Sequence, residues 1–197
     1  MNAVALEQAL RRIDKQGIWL LFRVQLGVLF PGESTDTLKK SLARHCQAGR
    51  LLRVAHGLYA NPVARSMSAY PLEAMVPRLR PLDFNYLSAE TVLAERGVIS
   101  QMTQNYLTIM TTGSSKRYAT PFGTLEFTHT KRDHRTQRDQ LWFDEQRGLW
   151  VASVALAHRD LKRLGRNTGL VDLEELEEAL HEDSELLLAE KEGGYTT

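Results

Sequence analysis

The sequence predicts an α+β protein built as two domains joined by a connector, and three observations carry that reading. First, apolar residues recur at helical spacing near both ends of the chain: Leu6, Ala9, Leu10 and Ile13 at the front, and 153–164 and 172–181 at the back. Second, the middle of the chain holds short runs with a period of two, clearest where Leu125, Phe127 and His129 alternate with Glu126, Thr128 and Thr130. Third, four of the six prolines fall between residues 62 and 83 (Pro62, Pro71, Pro77 and Pro81), which marks a connector between residues 1–62 and 84–197.

The elements follow in order. Leu6 to Ile13 forms the apolar stripe of a first helix, which Gly17 ends. The run IWLLFRVQLGVLF over 18–30 is apolar enough for a buried second helix, closed by Pro31-Gly32. Ser34 or Thr35 can cap a third helix by accepting from its free amides, and Gly49 suits the left-handed position after it. Arg50 to Val54 and Leu58 to Ala60 then read as a two-stranded ribbon turning at Ala55-His56-Gly57, stopped by Asn61-Pro62. A capped helix, a Gly break and a ribbon are the plan of a winged helix-turn-helix. The connector carries one short helix around Leu72 to Leu79.

Beyond it, Ser88 is placed as the cap of a helix running to Arg96, and Tyr106 to Thr111 as a strand. Arg117 to Thr120 and Thr124 to Thr130 make a hairpin around Pro121-Phe122-Gly123, and Trp142-Phe143 with Trp150-Val151 a second one across Asp144 to Gly148. The second domain is thus expected to be mixed, with a small antiparallel sheet and flanking helices. Asp172 with Glu175 resembles a capping box for the last helix.

Composition narrows the function classes. At 197 residues, 43% hydrophobic and 25% charged, the chain has the make-up of a globular protein and room for one large domain or two small ones. No run of about 18 apolar residues predicts a membrane span, and the N-terminal stretch lacks the pattern of a secretory signal. A single cysteine, Cys46, allows no internal disulfide and fits a cytoplasmic protein. The net charge of +1 conceals a polarity. Residues 1–62 carry nine Lys+Arg against four Asp+Glu, 63–140 ten against seven, and 141–197 six against thirteen. A basic front half is the footprint of a protein that meets a polyanion.

The third helix is two-faced. Leu38, Leu42 and Cys46 face a core, while Lys39, Lys40, Ala43, Arg44 and Gln47 share the other side. Lys and Arg there can contact phosphates and guanine edges in a major groove, and Gln can read adenine. Arg50, Arg53 and His56 add charge on the ribbon. The expected DNA contacts are therefore Lys39, Lys40, Arg44, Gln47, Arg50, Arg53 and His56. The bland reading is a solvated charged face.

Other motifs are weaker. TTGSSKR at 111–117 has one Gly and no following helix, so it reads as a polar hairpin turn, not a phosphate cradle; Lys116 and Arg117 give it charge. The basic run KRDHRTQR at 131–138 is an exposed loop or a contact surface, with Arg132 and Arg135 as candidates. His129 and His134 lack a third ligand, so no metal site is expected. Asp133, Asp139, Asp144 and Glu145 are carboxylates of the kind that turns collect, and no hydrolase, zincin or dinucleotide motif occurs. The expectation is a protein that is not an enzyme and takes no cofactor.

Lined up, these pieces resemble the AbiEi family, antitoxins of abortive-infection (type IV) toxin–antitoxin systems. The resemblance rests on GRLLRVAHGLYANP at the ribbon, FNYLSAETVLAERGVIS from Phe84 to Ser100, YLTIMTTGSSKRYATPFGTLEFTHTKR from Tyr106 to Arg132, and a helical C-terminal region. It spans roughly residues 18–165. It implies a winged helix that binds double-stranded DNA at inverted repeats in its own promoter, and a second domain that counters a cognate nucleotidyltransferase toxin, with or without a stable complex. The antitoxin surface would lie within 84–165, where Lys116, Arg117, Arg132 and Arg135 are the candidates. One departure stands: the Pro-Glu-Lys/Arg-Ala-Leu stretch associated with the family is Ala152-Ser153-Val154-Ala155-Leu156 here. With no heptad tract, the chain is expected to be a monomer off DNA, with more than one copy on an operator. The rival reading is a winged-helix regulator of unrelated genes whose second domain senses a ligand or partner.

Overall fold

The computed structural model describes residues 1–100, 105–132 and 137–193. The chain forms two compact units, Met1–Pro71 with Tyr118–Phe122, and Leu72–Arg117 with Gly123–Thr197. The architecture is α+β, with seven α-helices among the described residues. None of the helices there is long and apolar enough to cross a membrane.

The first unit runs α1 (Ala3–Asp14), β1 (Leu20–Phe22), α2 (Arg23–Leu29), α3 (Thr35–Gln47), β2 (Leu52–Ala55) and β3 (Leu58–Ala60). Asn2 caps α1 by accepting from the Ala5 amide at 2.8 Å. Leu6, Leu10 and Ile13 of α1 pack with Leu21, Leu26, Leu38, Leu42, Leu51 and Tyr59 in one core, which Cys46 borders. The expected 18–30 helix is corrected: its first part is a strand. Leu20 to Phe22 pair with Ala60 to Leu58, so β3 lies between β1 and β2 in a three-stranded antiparallel sheet. A continuous apolar run satisfies a buried strand as well as a buried helix, and only the partner decides. The Gln25 side chain then accepts from the Phe22 amide at 2.8 Å, and the Arg23 amide donates to the Gly57 carbonyl at 2.8 Å, so the start of α2 is tied to the ribbon turn.

The rest of the chain contains α4 (Pro71–Leu79), β4 (Asn85–Leu87), α5 (Glu90–Glu95), β5 (Tyr106–Thr111), β6 (Lys116–Thr120), β7 (Gly123–His129), β8 (Leu141–Asp144), β9 (Leu149–Ala152), α6 (Val154–Leu164) and α7 (Leu173–Gly193). Its sheet is larger than expected and mixed: six strands in the order β6-β7-β5-β4-β9-β8. The β4–β9 and β5–β7 pairs are parallel, while β4–β5 and β8–β9 are antiparallel. Three buried residues, Asn85-Tyr86-Leu87, make β4, too short a run to alternate visibly. The 111–117 turn is not a hairpin turn either, because β7 lies between β5 and β6. Ser88 does not cap α5; Ala89 holds the cap position at φ 50° and the Ser88 hydroxyl turns elsewhere. Ser153 caps α6 by accepting from Leu156, and Asp172 opens α7 by accepting from the amides of Glu174 and Glu175.

Candidate nucleic-acid interface and the charged clusters of the second unit

The helix α3 starts where Ser34 Oγ accepts from the Thr37 amide at 3.2 Å. Leu38, Ser41, Leu42 and His45 are buried, so its inner face is wider than the apolar stripe alone. Lys39, Lys40, Ala43, Arg44 and Gln47 are all exposed on the opposite side. The structure thereby brings four of the seven expected DNA contacts onto one helix face. Lys39 Nζ lies 3.2 Å from Asp36, an exposed pair that costs little to open. The Arg44 guanidinium donates to the Met1 carbonyl at 3.0 Å. The His45 Nε2 sits 3.4 Å from the same oxygen, and burial pushes the imidazole pKa down despite that bond.

The ribbon carries the other three differently. Arg53 and His56 are exposed, with Arg53 Nη2 3.5 Å from His56 Nδ1, at the edge of hydrogen-bonding reach. A bulge between Arg53 and Ala55 precedes the turn, and Gly57 at φ 74° supplies the left-handed residue that lets the chain reverse in two residues. Arg50 is set apart: it precedes β2, and its Nε faces Glu7 of α1 at 3.7 Å.

In the second unit, Lys116 and Arg117 are exposed on β6 and line a cleft of about 370 Å³ with Glu126, Thr128 and Arg166. The Arg117 guanidinium lies 5.4 Å from the Tyr106 ring centroid, a cation–π contact. Arg132 belongs to a different environment from the one expected. Its guanidinium is hydrogen-bonded to Asp160, a fully buried carboxylate that also accepts from Tyr86 Oη at 3.0 Å and Ser88 Oγ at 2.8 Å. Burial, then the Asp160 charge, pushes the Tyr86 phenol well above its usual range. Arg135 lies outside the described residues, as do Asp133 and His134. His129 is exposed, not inward as the alternation suggests; its Nδ1 is 2.9 Å from the Gly113 carbonyl. Asp144 organises the β8–β9 turn by accepting from the Gln146 and Arg147 amides.

Sequence reasoning missed a second cluster altogether. Arg166, just past α6, reaches Glu90 Oε1 at 2.7 Å and Glu126 Oε1 at 2.8 Å with different nitrogens. Thr108 and Asn167 donate to Glu90, and the Tyr106 hydroxyl donates to Glu126 at 2.6 Å. Hydrogen bonds from Arg166 and Tyr106 hold the Glu126 carboxyl below its usual range against the effect of burial. Such a set, with each carboxylate answered several times, braces α5, β5, β7 and the segment after α6. One signal for these clusters was visible: Asp160 interrupts the stripe of Leu156, Ala157 and Leu161 on α6, a charge on a core face. Its partners, more than 25 residues away in every case, were not readable.

No family model, no curated protein and no solved structure matches this chain.

Proposed function

We propose that the chain is a DNA-binding antitoxin of the AbiEi type, which represses its own operon and neutralises a cognate nucleotidyltransferase toxin in the cytoplasm. The observation that carries the DNA-binding part is the exposed α3 face of Lys39, Lys40, Arg44 and Gln47, backed by a buried core side and followed by a ribbon bearing Arg53 and His56. The order helix, strand, helix, helix, strand, strand, with β3 between β1 and β2, supports a winged helix-turn-helix reading of the first unit. In that reading α3 enters the major groove and the His56-Gly57 turn touches the flanking backbone. Two copies on repeated half-sites would add specificity over one small module and would occlude polymerase. The antitoxin part rests on the sequence resemblance across the second unit.

Gel shifts with the protein's own upstream sequence, over a salt series, test the first part. Operator binding should weaken with salt, and Lys40→Ala should make the slope shallower by about one unit if Lys40 meets a phosphate. Arg44→Ala should cost about 1–3 kcal/mol if Arg44 reads a base, toward the low end because the wild type must first give up its Met1 contact. Salt-insensitive or absent binding rejects the DNA reading. Co-expression with the neighbouring reading frame tests the second part: a frame that is harmless alone rejects the antitoxin reading and favours a regulator of other genes.

A further inference from the structure

A cleft of about 680 Å³ opens in the first unit, away from the residues named for the groove except Arg50. It is lined by α1 and the residue that caps it, through Arg11, Asp14 and Lys15, by the segment after β3, through Pro62, Val63 and Arg65, and by Gly49-Arg50. We propose that this cleft binds a small organic anion carrying phosphoryl groups, of about nucleotide size.

Four cations line it, Arg11, Lys15, Arg50 and Arg65, against two carboxylates, Glu7 and Asp14. The two carboxylates offset half of that charge and leave the cleft net positive. Asp14 is committed to the loop: its Oδ2 accepts from the Arg65 amide at 3.0 Å, and its Oδ1 from the Ser66 amide at 2.9 Å and the Ser66 hydroxyl at 2.6 Å. Those bonds hold its carboxyl below the usual range and keep it ionised. They also fix where the Arg65 side chain starts, and Asn61 Oδ1, accepting from the Val63 amide at 3.2 Å, fixes the preceding turn. The loop wall is thus organised before any ligand arrives, which lowers the entropy lost on binding.

Glu7 answers Arg50 only at 3.7 Å, and both side chains are about half exposed, so a phosphate can take that guanidinium at small cost. Arg11 and Lys15 form no ion pair among the described residues. Three guanidinium forks and one ammonium suit phosphoryl oxygens, which guanidinium meets with two parallel bonds. The rest of the lining is Leu10, Gly49, Asn61, Pro62 and Val63, apolar but for Asn61. Leu10 lines the cleft, and Val63, 82% exposed, is a large aliphatic side chain with nothing over it, so the ligand also carries an apolar moiety. The volume lies within the range of small-molecule sites.

Titration calorimetry of the full chain with ADP, inorganic pyrophosphate and a short DNA duplex of unrelated sequence tests this. ADP should saturate one site, and pyrophosphate should bind more weakly. Arg11→Glu/Lys15→Glu should weaken ADP by at least about tenfold, equivalent to about 1.4 kcal/mol, with an unchanged melting temperature. Arg65→Gln, which keeps the Asp14 backbone bonds, should weaken it several-fold and covers the case where the double variant fails to fold. No saturation by ADP in the millimolar range overturns the proposal, as does equal binding by wild type and Arg65→Gln. Pyrophosphate as tight as ADP overturns the apolar half of the site. Duplex binding that disappears in Arg11→Glu/Lys15→Glu, with no ADP binding in the wild type, assigns these cations to a nucleic-acid backbone and also overturns it. Loss of operator binding in α3 variants leaves this result untouched, so the two readings fail separately.

Discussion

Replacing Asp160 with Ala removes a carboxylate that Arg132, Tyr86 and Ser88 share. Tyr86 and Ser88 have no exposed surface, so their hydroxyls cannot turn to water once the acceptor is gone. Each unpaired buried hydroxyl costs about 1–3 kcal/mol. The Arg132 side chain is 28% exposed, so solvent recovers part of its lost pairing. The sum is about 3–5 kcal/mol, in line with breaking one side of a buried ion pair. At about 2–4 °C per kcal/mol for a chain of this size, the melting transition should fall by roughly 6–20 °C. Urea unfolding of wild type, Asp160→Ala, Arg132→Ala and the double variant measures it. Arg132→Ala should be destabilising too, since it leaves a buried carboxylate without its cation. The double variant should then cost less than the sum of the singles by about 1–3 kcal/mol. An Asp160→Ala cost under about 1 kcal/mol, or strict additivity, refutes the brace. Arg132 would then return to the partner-surface role that its place in the basic 131–138 run suggests.

Two further outcomes are expected. Gly123 sits at φ 135°, and a Cβ there would overlap the Asn105 carbonyl, so Gly123→Ala should destabilise the second unit by about 2 kcal/mol or more in thermal melts; a neutral result would mean that the 105–123 approach is looser than described. Glu126, with a usual carboxyl value of 4.5, is held lower in the fold chiefly by Arg166. A carboxyl depressed by folding contributes stability above its unfolded value and loses it as pH falls through the folded one, so stability should drop as pH goes below 4.5. Glu126→Gln should flatten that acid limb in denaturant series at several pH values; an unchanged limb refutes the assignment.

Much of the candidate interface was legible along the chain because it is local. Ser34, the stripe of Leu38 and Leu42, the cations between them and Gly49 all lie within one helix and its ends, where spacing alone decides which residues share a face. The same holds for the His56-Gly57 turn and the β8–β9 hairpin. Strand β1 was not legible, because Leu20 to Phe22 became a strand through pairing with residues 58–60, some 40 positions on. The mixed sheet escaped for the same reason: β4 is three residues long, and its neighbours β5 and β9 come from far along the chain.

Charge behaves likewise. The sequence alone determined that the first 62 residues are basic and that one helix face concentrates part of that charge. Only the tertiary structure decided which cations are spent. Arg132 goes to Asp160 and Arg166 to Glu90 and Glu126, whereas Arg11 and Lys15 are left to line a cleft with Arg65. Local pattern sets where a side chain points, because backbone geometry repeats every 3.6 or 2 residues. What it meets there depends on residues brought in by the packing of distant segments, and that carries no period to read.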